Sequence, residues 1–556
     1  MQRQGSGRSR RGFAAAALAC LAAAALALGL AGDALAIDPP LLHLRKPAKS
    51  AVKRIPAGKA AFPGHAALSK GAPLGNAGKA GTIDRLPSTA IASPSAFGGL
   101  LGARQNLARL SAPERLRLRA ELRNAILAVR ARLPQRPFPG ERGFTGVPPA
   151  GETRFVSNEM VLQVGASISR ATVDGVARRL GLDVVASQTI GLTGGTMIRF
   201  RVADGRLMTD VVRALEAANV GVAQPNYVYR VVQQDTSLAA RSQGGEPDQY
   251  VVSKLKLGEV HRVATGSNVL VAVIDSEIDT RHPDLAGAVV ERFDAVGRPD
   301  QADAHGTGMA GAIVAHHRLM GIAPRARILA VHAFSPQSGE SAQATTQHIL
   351  AGLDYAIKKG ARVINMSFAG PYDPLLQVAM KKAHDQGVVL IAAAGNAGPS
   401  SPPLYPAADP HVIAVTATDE NDRPFVQANQ GPQIAVAAPG VNILEPAPND
   451  GYQVTTGTSV AAAHVSGVAA LLMERAPALD PDGVLEVLTL TARNAGGRDD
   501  KLGWGLIDPA RALEELEAKV AQAGKGDAKS ESKGKGAGKL STPAYGKPLP
   551  QPISAR

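Results

Sequence analysis

Val269-Leu270-Val271-Ala272-Val273-Ile274-Asp275-Ser276 is an unbroken apolar run that ends on a carboxylate. A run without polar alternation is the pattern of a strand buried on both faces. Strand-like runs recur at 327–331, 362–367, 388–394, 412–416 and 434–437, and helical patterns stand at 342–360, 374–386, 459–474 and 481–492. Such alternation predicts an α/β domain over 250–516, with a parallel sheet and helices on both faces. Sites in open sheets of this kind are built at the carboxyl ends of the strands. Asp275 stands at one of those ends.

Two further islands follow it in order. His305-Gly306-Thr307-Gly308-Met309-Ala310-Gly311 puts a histidine at the start of a helical segment. Gly457-Thr458-Ser459-Val460-Ala461-Ala462-Ala463-His464-Val465 puts a serine at the start of another. Alone, a strand-end aspartate caps a turn, a serine caps a helix, and one histidine among 12 means little. Together they are what a weak hydroxyl needs to become a nucleophile: a base, and an anion that orients the base. His282, His316, His317 and His464 read as structural or surface residues. Ala392-Ala393-Ala394-Gly395-Asn396-Ala397-Gly398 adds an amide donor in a Gly turn at a strand end. A helix N-terminus and such a donor both favour developing negative charge.

These motifs, in the order Asp, His, Ser, resemble the subtilisin-like serine proteases (the subtilase family) over roughly residues 250–515. The resemblance implies a subtilisin-like parallel sheet and a serine endopeptidase with Asp275, His305 and Ser459 as its triad. It implies Asn396 and the Ser459 backbone N–H as oxyanion donors. It also implies a substrate-binding edge at Ser367, Phe368, Ala369 and Gly370, where an extended peptide pairs as an added strand. No charged residue lies on that edge or in 393–398, which predicts an apolar or broad preference before the cut. No cofactor is required for the chemistry. Family members often bind structural calcium, but no EF-hand-type loop is found and no metal ligands are assigned. Glu277, Gly308, Ala369, Val460 and Ala463 depart from the family pattern, and none of these changes removes a catalytic group.

Residues 153–232 read β-α-β-β-α-β, a small ferredoxin-like α+β domain. Ala223-Gln224-Pro225-Asn226-Tyr227, closing that unit, is similar to the propeptide of the same family. The resemblance implies a folding chaperone and intramolecular inhibitor whose last strand lies across the active site. The polar stretch 233–249 then reads as a processing linker.

The flanks are different in kind. Net charge is +17 over residues 1–150 and +6 over 519–556, leaving about −9 between them. Arginines precede an Ala/Leu-rich run at 14–30, and Ala34-Leu35-Ala36 fits a cleavage rule, so 1–36 reads as a signal peptide and the protein as secreted, extracellular or periplasmic. Ser9-Arg10-Arg11-Gly12-Phe13 is a weak twin-arginine match. The single cysteine, Cys20, lies inside this segment, so after its removal disulfides and thiol chemistry are excluded. Residues 37–152 read as a low-complexity linker with one helix near 111–134, capped by Ser111 and Glu114 and docking on the domain that follows. Residues 517–556 read as a disordered basic tail. The basic arms carry no nucleic-acid motif, so no nucleic-acid partner is expected, and no later segment is apolar enough to span a membrane. The partners expected are protein or peptide substrates and the chain's own propeptide. A catalytically silent binding protein on the same fold is the alternative, motivated by the motif departures and the long arms.

Overall fold

The computed structural model describes residues 103–232, 249–299, 301–337, 340–494 and 497–533. The expected signal peptide, and most of the linker and of the processing segment, lie outside them.

Chain order begins with α1 (Ala112–Arg130). The backbone N–H of Ser111 donates to Glu114 Oε2 at 2.7 Å, closing the first turn. A small domain follows: β1 (Phe155–Gly165), α2 (Arg170–Leu180), β2 (Leu182–Ile190), β3 (Gly195–Val202), α3 (Met208–Ala218) and β4 (Val222–Val231). Its antiparallel strands run in the order β4-β1-β3-β2. Met160, Leu162, Phe200, Val212 and Leu215 are buried between this sheet and its two helices.

The large domain holds β5 (Leu270–Ser276), β6 (Val289–Asp294), α4 (Ala304–Val314), β7 (Arg327–Gln337), β8 (Glu340–Thr345), α5 (Thr346–Lys358), β9 (Val363–Met366), β10 (Phe368–Ala369) and α6 (Pro374–Asp385). It continues with β11 (Val389–Ala393), β12 (Ile413–Thr418), β13 (Ile434–Pro439), β14 (Ile443–Ala447), β15 (Gly451–Thr455), α7 (Thr458–Arg475), α8 (Pro481–Thr491) and α9 (Pro509–Lys533). Strands β13-β12-β11-β9-β5-β7-β6 pair in parallel in that order. Every residue of β5, β9, β11 and β12 is buried, which is why their sequences do not alternate. α7 is buried from Thr458 to Met473, with Ala and Gly letting it pack close to the sheet.

The two domains share a sheet edge. The end of β4 enters between β8 and β10, pairing Tyr229 with Ala344 on one side and Val231 with Phe368 on the other.

Three expectations change. Residues 103–152 are not a bare linker: Arg104 and Leu107 are buried, and α1 packs on the large domain, not on the small domain next in sequence. The apolar face of α1 was legible, but nothing local said which surface it would cover. The basic tail expected from residue 517 is helical through Lys533, because α9 continues a strongly helix-forming Ala/Glu/Lys run. The helical pattern at 342–360 begins only at Thr346, since 340–345 pairs as β8. The short strand β6 and the β14–β15 hairpin carried no pattern long enough to read.

Candidate active site

Asp275 is the penultimate residue of β5 and is fully buried. Its Oδ1 accepts the Ser276 backbone N–H at 2.7 Å and lies 2.7 Å from His305 Nδ1. His305 is the second residue of α4, and that helix start is fixed from both sides. Asp303 caps it, accepting the His305 backbone N–H at 2.8 Å, and Ser276 Oγ accepts the Gly306 backbone N–H at 3.1 Å. With Nδ1 donating to Asp275, the ring presents Nε2 as its acceptor. Burial works to lower the His305 pKa, but the carboxylates of Asp275, Asp303 and Glu445 outweigh it and hold the ring above the usual histidine value.

Ser459 is the second residue of α7 and is fully buried. Asn396 lies in the turn after β11. Its Oδ1 accepts from the Thr458 N–H at 3.1 Å and from Thr458 Oγ1 at 3.0 Å, which commits the carbonyl end and leaves Nδ2 as the outward donor. Asn429 Oδ1 steadies the turn by accepting the Ala397 N–H at 2.9 Å. A Cβ built on Gly457 would sit 2.9 Å from Asn396 Nδ2, 3.1 Å from Ser459 Oγ and 3.1 Å from the Val232 carbonyl oxygen. A side chain there would crowd all three, and three atoms of a prospective acyl-transfer site surround one point. Asp275 Oδ2, His305 Nε2, Asn396 Nδ2 and Ser459 Oγ are buried without a hydrogen-bond partner among the described residues. His305 and Ser459 are therefore not hydrogen-bonded to each other in this state.

The expected peptide edge carries a peptide. Val231 and Arg230 pair with Phe368 and Ala369, and the Val232 N–H donates to the Ser367 carbonyl at 3.0 Å. The Ser367 hydroxyl faces elsewhere, donating to the Ser459 carbonyl at 3.0 Å, so this serine offers the peptide its backbone only. Gly370 exchanges backbone hydrogen bonds with Tyr405. Beside the peptide a cavity of about 580 Å3 is lined by Val231, Val232, Ala369, Gly370, Asn396 and Leu404, among others.

Four residues were not legible from the motifs. Thr458, Asp303 and Asn429 act through contacts between distant segments. Glu445, on β14, is fully buried, and burial pushes its carboxyl up to about 7. A Cβ on Gly308 would lie 2.6 Å from Glu445 Oε2, so the glycine in the histidine motif makes room for this carboxyl group. A second departure, Glu277, is turned aside by Arg292 at 2.5 Å, with His332 Nδ1 3.4 Å away. His464 is structural: its Nδ1 bonds the Pro439 carbonyl at 2.9 Å, and burial pushes its pKa down to about 4. Among the described residues no group of three or more His, Cys, Asp or Glu is placed to hold a metal ion, and no helix is long and apolar enough to cross a membrane.

Residues 266–505 match the sequence profile of the subtilase family. Thermitase from Thermoactinomyces vulgaris is 38% identical over 232 residues, which are 40% of this chain and 81% of the thermitase sequence. Minor extracellular protease Epr from Bacillus subtilis is 37% identical over 269 residues, 47% of this chain and 41% of that protein. Among solved structures, fervidolysin from Fervidobacterium pennivorans, a keratinolytic enzyme related to subtilisin, matches with a TM-score of 0.56 at 25% identity, covering 69% of this chain and 64% of that one.

Proposed function

The chain belongs to the subtilase family of serine endopeptidases, and from that premise we propose that it is a secreted zymogen in which Asp275, His305, Ser459 and Asn396 do the chemistry. Ser459 Oγ attacks the peptide carbonyl carbon while His305 Nε2 takes its proton. The tetrahedral oxyanion accepts a hydrogen bond from Asn396 Nδ2 and one from the Ser459 backbone N–H. Collapse expels the amine, which leaves with the proton from His305, and an acyl-enzyme remains. Water repeats the sequence and releases the acid. Asp275 keeps the ring in the productive tautomer and stabilises the imidazolium as it forms.

The observation that carries this reading is the gathering of Ser459 Oγ, Asn396 Nδ2 and the Val232 carbonyl oxygen around Gly457. Val232 then occupies the position before a scissile bond, and the bond is Val232–Gln233. The small domain is the propeptide: it folds with the enzyme, delivers its own last strand to the edge, and blocks the site until removed. An apolar Val232 matches the uncharged edge, so the enzyme prefers small or medium apolar residues before the cut. Secretion is supported by the export-signal pattern of residues 1–36 and by the extracellular protease among its relatives.

A fluorophosphonate probe tests the nucleophile. The processed wild-type enzyme is expected to carry the label on Ser459. Absence of label on processed, folded protein, or label on another serine, contradicts the assignment.

A further inference from the structure

The segment that precedes the small domain in sequence is bound to the large one. We infer that residues 103–133 are a structural part of the catalytic domain, seated on a surface of α8 and α9 that fits this stretch of its own chain, and that they remain there as a separate chain once the covalent link is cut. The zymogen reading enters only as the natural source of that cut.

The contact has the chemistry of a domain interior. Leu107, Leu118, Leu122 and Ile126 belong to the same continuous core as Leu488, Leu513 and Leu516. Leu122 is fully buried. Arg104 is 3% exposed, yet its guanidinium is well satisfied. Nε donates to the Leu490 carbonyl at 3.2 Å, and Nη2 to those of Ala492 and Trp504 at 2.9 Å each. The group also lies 5.3 Å from the centre of the Trp504 ring. Two of those carbonyls close the end of α8, where helical acceptors have no partner within the helix. Arg104 thus caps α8 from a segment nearly 400 positions away.

The second lock is ionic. Glu515 on α9 is 3% exposed. Its oxygens are met by Arg115 Nη1 at 2.9 Å and Arg119 Nη2 at 2.6 Å. Among the described residues both cations come from α1. Glu486 on α8 meets Arg123 Nε at 3.2 Å, with Lys519 of its own domain at 3.5 Å. Removing residues 103–133 would strand a buried carboxylate at Glu515, open the α8 end and bare an apolar groove. Breaking a buried pair from one side is among the costliest single losses a fold can suffer. Beyond Leu133 the character changes: Pro134, Gln135, Gly140, Glu141, Arg142 and Gly143 are exposed, as a cleavable connection requires. The small domain can therefore leave while 103–133 stays.

The test uses the full-length Ser459→Ala protein, which cannot cut itself. One recognition site for a sequence-specific protease is inserted within 236–246 and a second between Glu141 and Arg142. After digestion, gel filtration is run at high salt, where surface ion pairs are screened. The fragment ending at Glu141 is expected to elute with the catalytic domain, whatever the small domain does. Arg119→Ala is expected to speed its loss at least tenfold, Arg119→Lys to fall between, and Arg117→Ala, at an exposed i,i+4 pair with Glu121, to change nothing. Elution of that fragment alone, beside a catalytic domain that keeps its fold, overturns the inference. The outcome is independent of self-cleavage, so it fails or stands apart from the zymogen reading.

Discussion

Residues 222–232 and residues 103–133 both lie against the catalytic domain, but one joins it by strand pairing along a sheet edge, with side chains such as Tyr229 packed beside it, and the other without any strand pairing. β4 joins the edge through main-chain pairing with β8 and β10, a bond pattern open to other extended peptides, and adds side-chain contacts of its own: Gln224 Nε2 donates to Asp373 Oδ1 at 2.8 Å and Tyr229 is fully buried. Residues 103–133 are held by Arg104, Arg115, Arg119 and a buried leucine face, which only this sequence satisfies. The first attachment imitates a substrate and has to be left behind. The second completes a core. Chemistry at the contact, rather than order along the chain, decides what belongs to the enzyme.

The sharpest way to separate the two is to stop the chemistry without touching either attachment. Asn396→Ala removes one oxyanion donor and should slow self-cleavage by about 10²–10³-fold, while the lost Oδ1 bonds to Thr458 lower the stability of the precursor by only about 1–3 kcal/mol. A time course on denaturing gels beside a thermal melt reads both. Equal loss of rate and stability would mean that Asn396 holds the turn rather than the oxyanion.

Next in size is damage to the core-like attachment. Leu122→Ala should cost about 2–5 kcal/mol, as for other buried leucines, and should lower the melting temperature of the processed enzyme as well as of the precursor. Val231→Ala, on the strand-like side, should lower only the precursor's. A Leu122→Ala effect confined to the precursor would assign α1 to the propeptide.

Acid should loosen the strand-paired attachment. His348, on α5, faces Arg199 and Glu159 of the small domain, with His332 and Asp294 nearby, and burial first, then Arg199, pushes its pKa down to about 4. A histidine depressed in the bound state contributes binding that is complete above its free value near 6.5 and is lost as pH falls from there toward 4. The small domain's affinity should drop by up to about tenfold per pH unit across that window. Asp373, buried at the same interface and raised by that burial, opposes the trend in the carboxylate range, so the clearest interval is from pH 6.5 to about 5. Binding measured by calorimetry that is flat across this interval would remove His348 from the account.

The smallest expected effect concerns the site itself. Glu445, with its carboxyl pushed up to about 7, carries only part of a charge over the acid limb, so Glu445→Gln should move the acid limb of kcat/KM to lower pH by a small fraction of a unit. An unmoved limb would leave Glu445 as packing for Gly308.

Much of this was legible in residue pattern. Continuous burial wrote β5, β9, β11 and β12 as apolar runs, and the Gly-flanked His305, Asn396 and Ser459 stood out because strand-end and helix-start positions are where such groups gather. What escaped depends on long-range contact. The partner of α1 lies nearly 400 residues on, Thr458 matters only because it meets Asn396, and Glu445 explains Gly308 across two elements. None of these leaves a local periodicity to read.

The central claim is that Ser459 attacks the carbonyl of Val232 when the strand lies as it does here. Amino-terminal sequencing of the catalytic fragment, from wild type and from Ser459→Ala expressed side by side, tests it directly. The account predicts a fragment beginning at Gln233 in the wild type and an uncut chain in the variant. The same fragment from both proteins, or a wild type that never cuts there, would contradict it.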